Sequence, residues 1–366
     1  MKIAVTPSSD LLPHAGPSAA RREPSRAWVA AWLLGCCALI FAMVVVGGVT
    51  RLTHSGLSIV EWQPIVGAVP PLTDTQWADT FAKYQQTPEY RLVNQGMSLD
   101  AFKGIFWWEY AHRLLGRLIG AAFILPLVWF WIRRSVDRSM ALQLGAVFVL
   151  GALQGAMGWY MVQSGLVDDP RVSQYRLTAH LSIAVAIYAV LLWTALNVLR
   201  PAAKVGKPSD GLSGMAWLVA ALTAGQFVTG GLVAGIRAGL AYNSFPLMNG
   251  HWIPREIMTL DPWYLNFFAN MATVQFDHRL GAWALIVAVP WLWLKARRAA
   301  LPAYARAAAH ALLAALLLQI TLGIATLLLR VPVPLAAAHQ AGALILLSAA
   351  LVFAHSLRQP RVQARA

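Results

Sequence analysis

Charge is what this chain has least of. Aspartate, glutamate, lysine and arginine make up 12% of its 366 residues, against roughly a quarter in soluble proteins. Hydrophobic residues make up 58%, so a water-exposed fold is excluded and a polytopic membrane protein is expected. Acidic residues are scarcer than basic ones, 15 against 29, which leaves a formal net charge of +14. That balance does not point to nucleic acid. The basic residues fall in short clusters between apolar runs, which is the topology signal of lipid-embedded chains. There are two cysteines. Cys36 and Cys37 are adjacent within the first apolar run, which excludes a disulfide framework and a metal knuckle. Leu33-Leu34-Gly35-Cys36 loosely matches a lipoprotein box, but the leader is long and the apolar stretch continues past it. Neither lipidation nor a removable signal peptide is expected.

What is present is a series of spans. Residues 1–27, with Pro7, Pro13, Pro17, Pro24 and several serines, form a basic tail expected to be disordered. Apolar runs near 28–50, 107–133, 140–163, 176–199, 215–236, 276–294, 306–329 and 336–357 are each near the length a bilayer needs. The expectation is an all-α protein of eight transmembrane helices. Its halves are 28–200 and 215–357, joined by a linker at 201–214 and followed by a tail at 358–366. The long connection 51–106 carries Glu61, Asp74, Asp79, Glu89 and Asp100. Thr73 with Gln76 forms a capping box there. Trp77, Phe81 and Tyr84 at helical spacing predict a short helix lying on the membrane surface, and Ser98 can cap the next span. The denser basic clusters, such as Arg133/Arg134/Arg138 and Lys295/Arg297/Arg298/Arg306, place both termini in the cytoplasm.

Four histidines open the even-numbered spans, all at the opposite, periplasmic end: His112, His180, His278 and His339. Each has a small residue four positions on: Gly116, Ala184, Ala282 and Ala343. Positions i and i+4 share a helix face, so a flat macrocycle could lie beside each imidazole. Gly116 and Gly120 also read as a helix-packing pair. His14, His54, His251, His310 and His355 lack that context and are assigned no ligand role. Two histidines per bundle, without cysteine or carboxylate at ligand spacing, make a poor zinc or copper site. They suit the two axial positions of a haem iron in a four-helix unit.

The chain also repeats itself. Val46-Gly47-Gly48-Val49 matches Thr229-Gly230-Gly231-Leu232. His112-Arg113-Leu114 matches His278-Arg279-Leu280, and His180 matches His339. Leu153-Gln154 with Gly158 matches Leu318-Gln319 with Gly323. The offset is 166 residues from His112 to His278 and 165 from Gln154 to Gln319. Two units with an even number of spans share one orientation, so parallel four-helix repeats are expected. One asymmetry stands out. Glu109 lies one turn before His112 on the same face, and its counterpart beside His278 is Gln275. An ionisable proton carrier in one half and a neutral amide in the other is expected if one half performs oxidation and the other holds an electron-transfer cofactor. Asp277 is off that face. Arg51, Arg113, Arg117, Arg237 and Arg279 are candidates for neutralising haem propionates, with interface anchoring an equal alternative.

These residues resemble the haem A synthase family of the mitochondrial and proteobacterial type. The resemblance covers about residues 28–357. It rests on Gly47-Gly48-Val49-Thr50-Arg51-Leu52-Thr53 with Ser55-Gly56-Leu57-Ser58, on Trp62 with Pro64, on Pro70-Pro71 and on Glu109 with His112-Arg113. Thr178-Ala179-His180, Phe245 to Gly250, Gln275-Phe276 with His278-Arg279 and Ala338-His339-Gln340 complete it. It implies oxidation of the C8 methyl of haem O to a formyl group by successive hydroxylations. It also implies substrate haem O at His112 and His180 with Glu109 essential, and a retained haem b between His278 and His339. A haem O synthase upstream, an external electron donor and an inner-membrane location follow, with homo-oligomerisation left open. Some bacterial relatives carry a cysteine pair in an outer loop; this chain has none there. Two alternatives stand beside this reading: a bis-histidine, quinol-linked di-haem cytochrome, which would not need Glu109, and a haem transporter. A haem O synthase itself is excluded, because no aspartate cluster exists to bind magnesium diphosphate.

Overall fold

In lipid, every backbone amide and carbonyl must find its partner within the segment, so the apolar runs can only be helices. The computed structural model describes residues 22–62, 66–167, 170, 172–200 and 211–358. In chain order the helices are α1 (Arg22–Leu52), α2 (Asp74–Gln85), α3 (Pro88–Leu92), α4 (Leu99–Ile132), α5 (Arg138–Gly165), α6 (Gln174–Leu199), α7 (Leu212–Gly235), α8 (Asn266–Ala269), α9 (Met271–Arg298), α10 (Ala303–Leu328) and α11 (Val333–Ser356). Among the described residues, eight are long and apolar enough to cross a membrane: all but α2, α3 and α8. Polar caps mark where several begin. Ser98 accepts from the Ala101 amide, Asp137 from Met140, and Asn270 from Ala272 and Thr273. Helix α1 starts at Arg22, inside the stretch expected to be tail, while residues 1–21, linker residues 201–210 and tail residues 359–366 lie outside the described residues.

The spans pack as two rings of four. Helix α1 touches α4 and α6, and α5 touches both α4 and α6. In the other ring α7 touches α9 and α11, and α10 touches both α9 and α11. The rings meet along a seam of α1, α6, α7 and α11, through the pairs α6–α7, α1–α11 and α6–α11. The seam is close because glycines line it. A Cβ on Gly231 of α7 would stand 2.9 Å from Oγ1 and 3.2 Å from Cα of Thr178 on α6. One turn on, a Cβ on Gly235 would collide with Gln174. On the other crossing, a Cβ on Gly48 of α1 would collide with the Gln340 amide of α11, whose Nε2 donates to the Val44 carbonyl at 2.9 Å. Small residues are what let lipid-embedded helices approach this way.

The first outer connection is more built than expected. Helix α2 has the predicted capping box between Thr73 and Gln76. Its apolar face does not rest on the membrane surface, however. Trp77 and Tyr84 are buried against Phe102 and Phe106, on an extension of α4 that begins well before the predicted span. The aromatic face found a protein partner, and burial in a packed cluster outweighs burial in headgroups. Helix α3, not foreseen, packs Tyr90 against Phe81 and Tyr84.

Substituting Gly231 by Ala is expected to destabilise the protein by about 1–3 kcal/mol, the usual cost of overpacking a tight contact. Thermal unfolding in detergent checks this. An unchanged midpoint would show that the seam yields freely.

Candidate functional site

Each of the four histidines lies against a glycine of the preceding span. A Cβ on Gly47 of α1 would stand 3.0 Å from Nε2 of His112 on α4. On Gly158 of α5 it would meet Cε1 of His180 on α6 at 3.3 Å. On Gly230 of α7 it would meet Cε1 of His278 on α9 at 3.2 Å, and on Gly323 of α10, Cε1 of His339 on α11 at 2.8 Å. The four imidazoles are half-buried, two in each ring of helices: His112 on α4 and His180 on α6, His278 on α9 and His339 on α11. The small residues on the histidines' own helices do other work than expected. Gly116 faces the Met43 methyl of α1, and Ala184 and Ala343 pack on the main core. The space each ring occupies comes from the neighbouring helix. The repeated Gly-Gly and Leu-Gln…Gly motifs were the signal for it, visible in the sequence but legible only as repeats.

The polar neighbours of the rings differ between halves. Thr229 Oγ1 lies 2.9 Å from Nδ1 of His278 and 2.9 Å from Oε1 of Gln226. An amide oxygen only accepts, so the hydroxyl donates there and takes the Nδ1–H of the ring. That fixes the tautomer and leaves the Nε2 lone pair for a metal. The position matching Thr229 in the first half is Val46, which offers His112 nothing. His112 is also turned, with its Nε2–Cδ2 edge towards Gly47, one ring flip from the arrangement of the other three. Gln154 donates to the His180 carbonyl at 2.9 Å and Gln226 to that of His278 at 3.0 Å. Nδ1 of His180 and of His339, and Oε1 of Gln154 and of Gln319, are buried without a hydrogen bond.

Glu109 is buried, 2% exposed, and each oxygen is held. Arg113 donates to Oε1 from Nη2 at 2.6 Å and from Nε at 3.0 Å. Oε2 accepts from the Ser58 hydroxyl and the Ile59 amide, both at 2.7 Å. Its two oxygens thus accept four hydrogen bonds. Gln275, also buried, sits in the same relation to Arg279, which donates to its Oε1 at 3.1 Å. There the loop supplies an acceptor instead: Gln275 Nε2 donates to the Ala238 carbonyl at 2.8 Å. The carboxylate and the amide are each matched to their loop.

The arginines divide into two kinds. Arg113 also donates to the carbonyls of Ile59 and Glu61, and Arg279 to those of Tyr242, Pro246 and Leu247. Both therefore fasten a loop onto a histidine-bearing helix. Arg117 lies one turn beyond Arg113 on α4, half-buried. Arg51 lies at the end of α1 and Arg237 just after α7, with His54 Nδ1 at 3.4 Å from Arg237 Nη2. Burial and these two cations push His54 below the ordinary imidazole range. Of the histidines given no ligand role, His310 accepts from the Trp293 indole and His355 bonds Asn197.

Among the described residues no group of three or more His, Cys, Asp or Glu side chains is placed to hold a bare metal ion. Two imidazoles in each ring of helices, each against a glycine and one per ring with its buried Nδ1 unpartnered, fit a group that brings its own equatorial ligands. Haem is such a group.

The fold and site thus define an eight-span, all-helical membrane protein with paired imidazoles near one end of its bundle. The chain belongs to the cytochrome oxidase assembly protein family, whose model matches residues 30–351. It is 61% identical to the heme A synthase of Nitrosospira multiformis over 90% of this chain and 94% of that protein. It is 56% identical to that of Nitrosomonas eutropha (88% and 92% covered) and 50% to that of Parvibaculum lavamentivorans (90% and 94%).

Replacing Thr229 by Val would give the second half the first half's environment. Loss of such an outer-shell partner costs about 10–100-fold in metal affinity. A matching loss of haem retained at His278 on dilution, followed by its absorption spectrum, is expected. Unchanged retention would remove Thr229 from the site.

Proposed function

We propose that this protein makes haem A from haem O, oxidising the C8 methyl group of the substrate to a formyl group by successive hydroxylations. The observation that carries this reading is the contrast between Glu109 and Gln275. Two otherwise matched sites differ in one ionisable group, held beside His112 by four donors. A protein that only passes electrons through two haems has no need of it.

Haem iron, when bound, supplies the redox chemistry, and its axial ligands and surroundings tune it. His112 and His180 would hold the substrate haem O; His278 and His339 would hold a resident haem b. Exchangeable and retained groups fit the polar contacts. Thr229 fixes the ring of His278, whereas His112 has no such partner and is free to turn. Glu109 can take a proton at Oε2, with the Ser58 hydroxyl rotating to accept rather than donate, as the substrate methyl is oxidised. Arg113 keeps that carboxylate in place and ties Ile59 and Glu61 over it, closing the site to bulk water. Arg51 and Arg237 are the better candidates for propionates, because the donors of Arg113 and Arg279 go to loop carbonyls.

In this reading the chain lies in the inner membrane with both termini cytoplasmic and the histidine end periplasmic. It receives its substrate from a haem O synthase and its electrons from an external donor. Cys36 and Cys37 are buried within α1 and take no part.

Replacing Glu109 by Gln tests the proposal. An amide can keep the Oε1 bond to the arginine, as Gln275 does with Arg279. Its NH2, however, would face the Ile59 amide that now donates to Oε2. The haem retained at His278 and His339 is therefore measured alongside activity, to separate lost chemistry from lost folding. Haem A formation should fall by about 10²-fold or more, read by extracting and chromatographing the pigments. Undiminished haem A would turn the reading towards a di-haem electron-transfer protein.

A further inference from the structure

The end of the bundle away from the four histidines holds a cavity of its own. It lies where α9 ends and α10 begins, at the mouth of the hairpin that the two helices form. Its volume is about 210 Å³, and it is lined by Trp293, Ala296 and Arg297 of α9 and Arg306, Ala309 and His310 of α10.

The polar groups around this cavity are donors. The Trp293 indole N–H donates to His310 Nδ1 at 3.0 Å. An indole nitrogen can only donate, so Nδ1 is the acceptor and Nε2 carries the N–H of that imidazole. The Arg297 guanidinium lies over the face of the same indole, 4.8 Å from its centroid. Such stacking holds an otherwise mobile cation in place. Arg306 stands four residues before His310, on the same face of α10.

No anion of the protein answers these cations. Among the described residues no salt bridge involves Arg297 or Arg306, and both are exposed. Beyond Asp277 the sequence has no aspartate or glutamate, and the last turn of α9 adds Lys295 and Arg298. Towards the middle of the spans the same helix faces turn apolar. On α9, exposed Leu294 and Trp291 lie three and six residues before Arg297. On α10, half-buried Leu313 and exposed Leu317 lie three and seven residues after His310. Those spacings keep each series on one side of its helix. Cations above an apolar surface match an amphiphile with an anionic head.

We propose that this cavity binds the phosphate of an anionic phospholipid. Arg297 and Arg306 flank the phosphodiester, the Nε2–H of His310 donates to one of its oxygens, and the acyl chains run along Leu294 and Leu317. Basic pockets between spans are suited to such head groups. A zwitterionic head would bring its own ammonium among the arginines and lose much of the attraction. Free phosphate shares the head-group chemistry but makes no use of the apolar faces. The site is far from the histidines and does not depend on the haem A synthase reading.

The test uses the full-length protein in a neutral detergent, with unfolding midpoints followed as dioctanoyl phosphatidylglycerol is added. A ligand that binds the folded state raises the midpoint with its concentration. Phosphatidylglycerol is expected to do so saturably, while dioctanoyl phosphatidylcholine and inorganic phosphate at the same concentrations do not. The double variant Arg297→Gln/Arg306→Gln should need about 30-fold more phosphatidylglycerol for the same rise, from the usual worth of two basic groups near an anionic surface. Arg298→Gln removes a neighbouring cation that does not line the cavity, and it should respond as the wild type does. If the double variant does not accumulate, either single change should raise the requirement about fivefold. An equal response to phosphatidylcholine or to inorganic phosphate overturns the proposal. So does an unchanged response in the arginine variants, or a loss in Arg298→Gln as large as theirs, which would mark a diffuse surface charge.

Discussion

A helix backbone comes within van der Waals contact of an imidazole ring four times over, and a Cβ at those glycines would stand 2.8–3.3 Å from the ring. With any side chain at Gly47, Gly158, Gly230 or Gly323, either the ring or the helix would have to move. The contact sets how closely the helices of each ring pack and which way each histidine leans. The placement of these histidines is therefore a property of pairs of helices.

The second organising interaction is the arginine that directly follows the histidine in α4 and α9. Arg113 and Arg279 each reach back to the residue at i−4 and across to loop carbonyls, so the covers over the two halves are fastened by the same device. What differs is the hydrogen-bonding sense of the loop beneath. Ser58 and Ile59 present donors and Ala238 presents an acceptor, and the side chain at the shared position follows suit. A buried group finds its preferred charge state through the partners that surround it, and here the loop decides.

Much of this was legible in the chain. Long apolar runs, the positions of His112, His180, His278 and His339, the internal repeat and the Glu109–Gln275 contrast all show in a single sequence. Each depends on local composition or on spacing along one helix. What was not legible depends on neighbours. Gly47 and Gly230 stood out as repeats, but the ring they accommodate belongs to another helix, and no spacing rule connects them. The same holds for Trp77 and Tyr84. Their periodicity gave an apolar face, and only the extension of α4 shows that protein covers it. Glu89, which is buried, looked like one solvated loop acid among several, because burial of a loop residue leaves no pattern in its own neighbourhood. The five arginines were equivalent until their acceptors were seen.

The paired glycines have a mechanical result. In Gly47-Gly48 and in Gly230-Gly231, the first residue contacts the ligand of its own half and the second contacts the other half. That second contact falls on Gln340, adjacent to His339, and on Thr178, one short step before His180. Turning α1 or α7 about its axis therefore shifts a histidine in one half and presses on the ligand-bearing stretch of the other. One two-residue motif on a single helix thus borders the histidine environments of both halves.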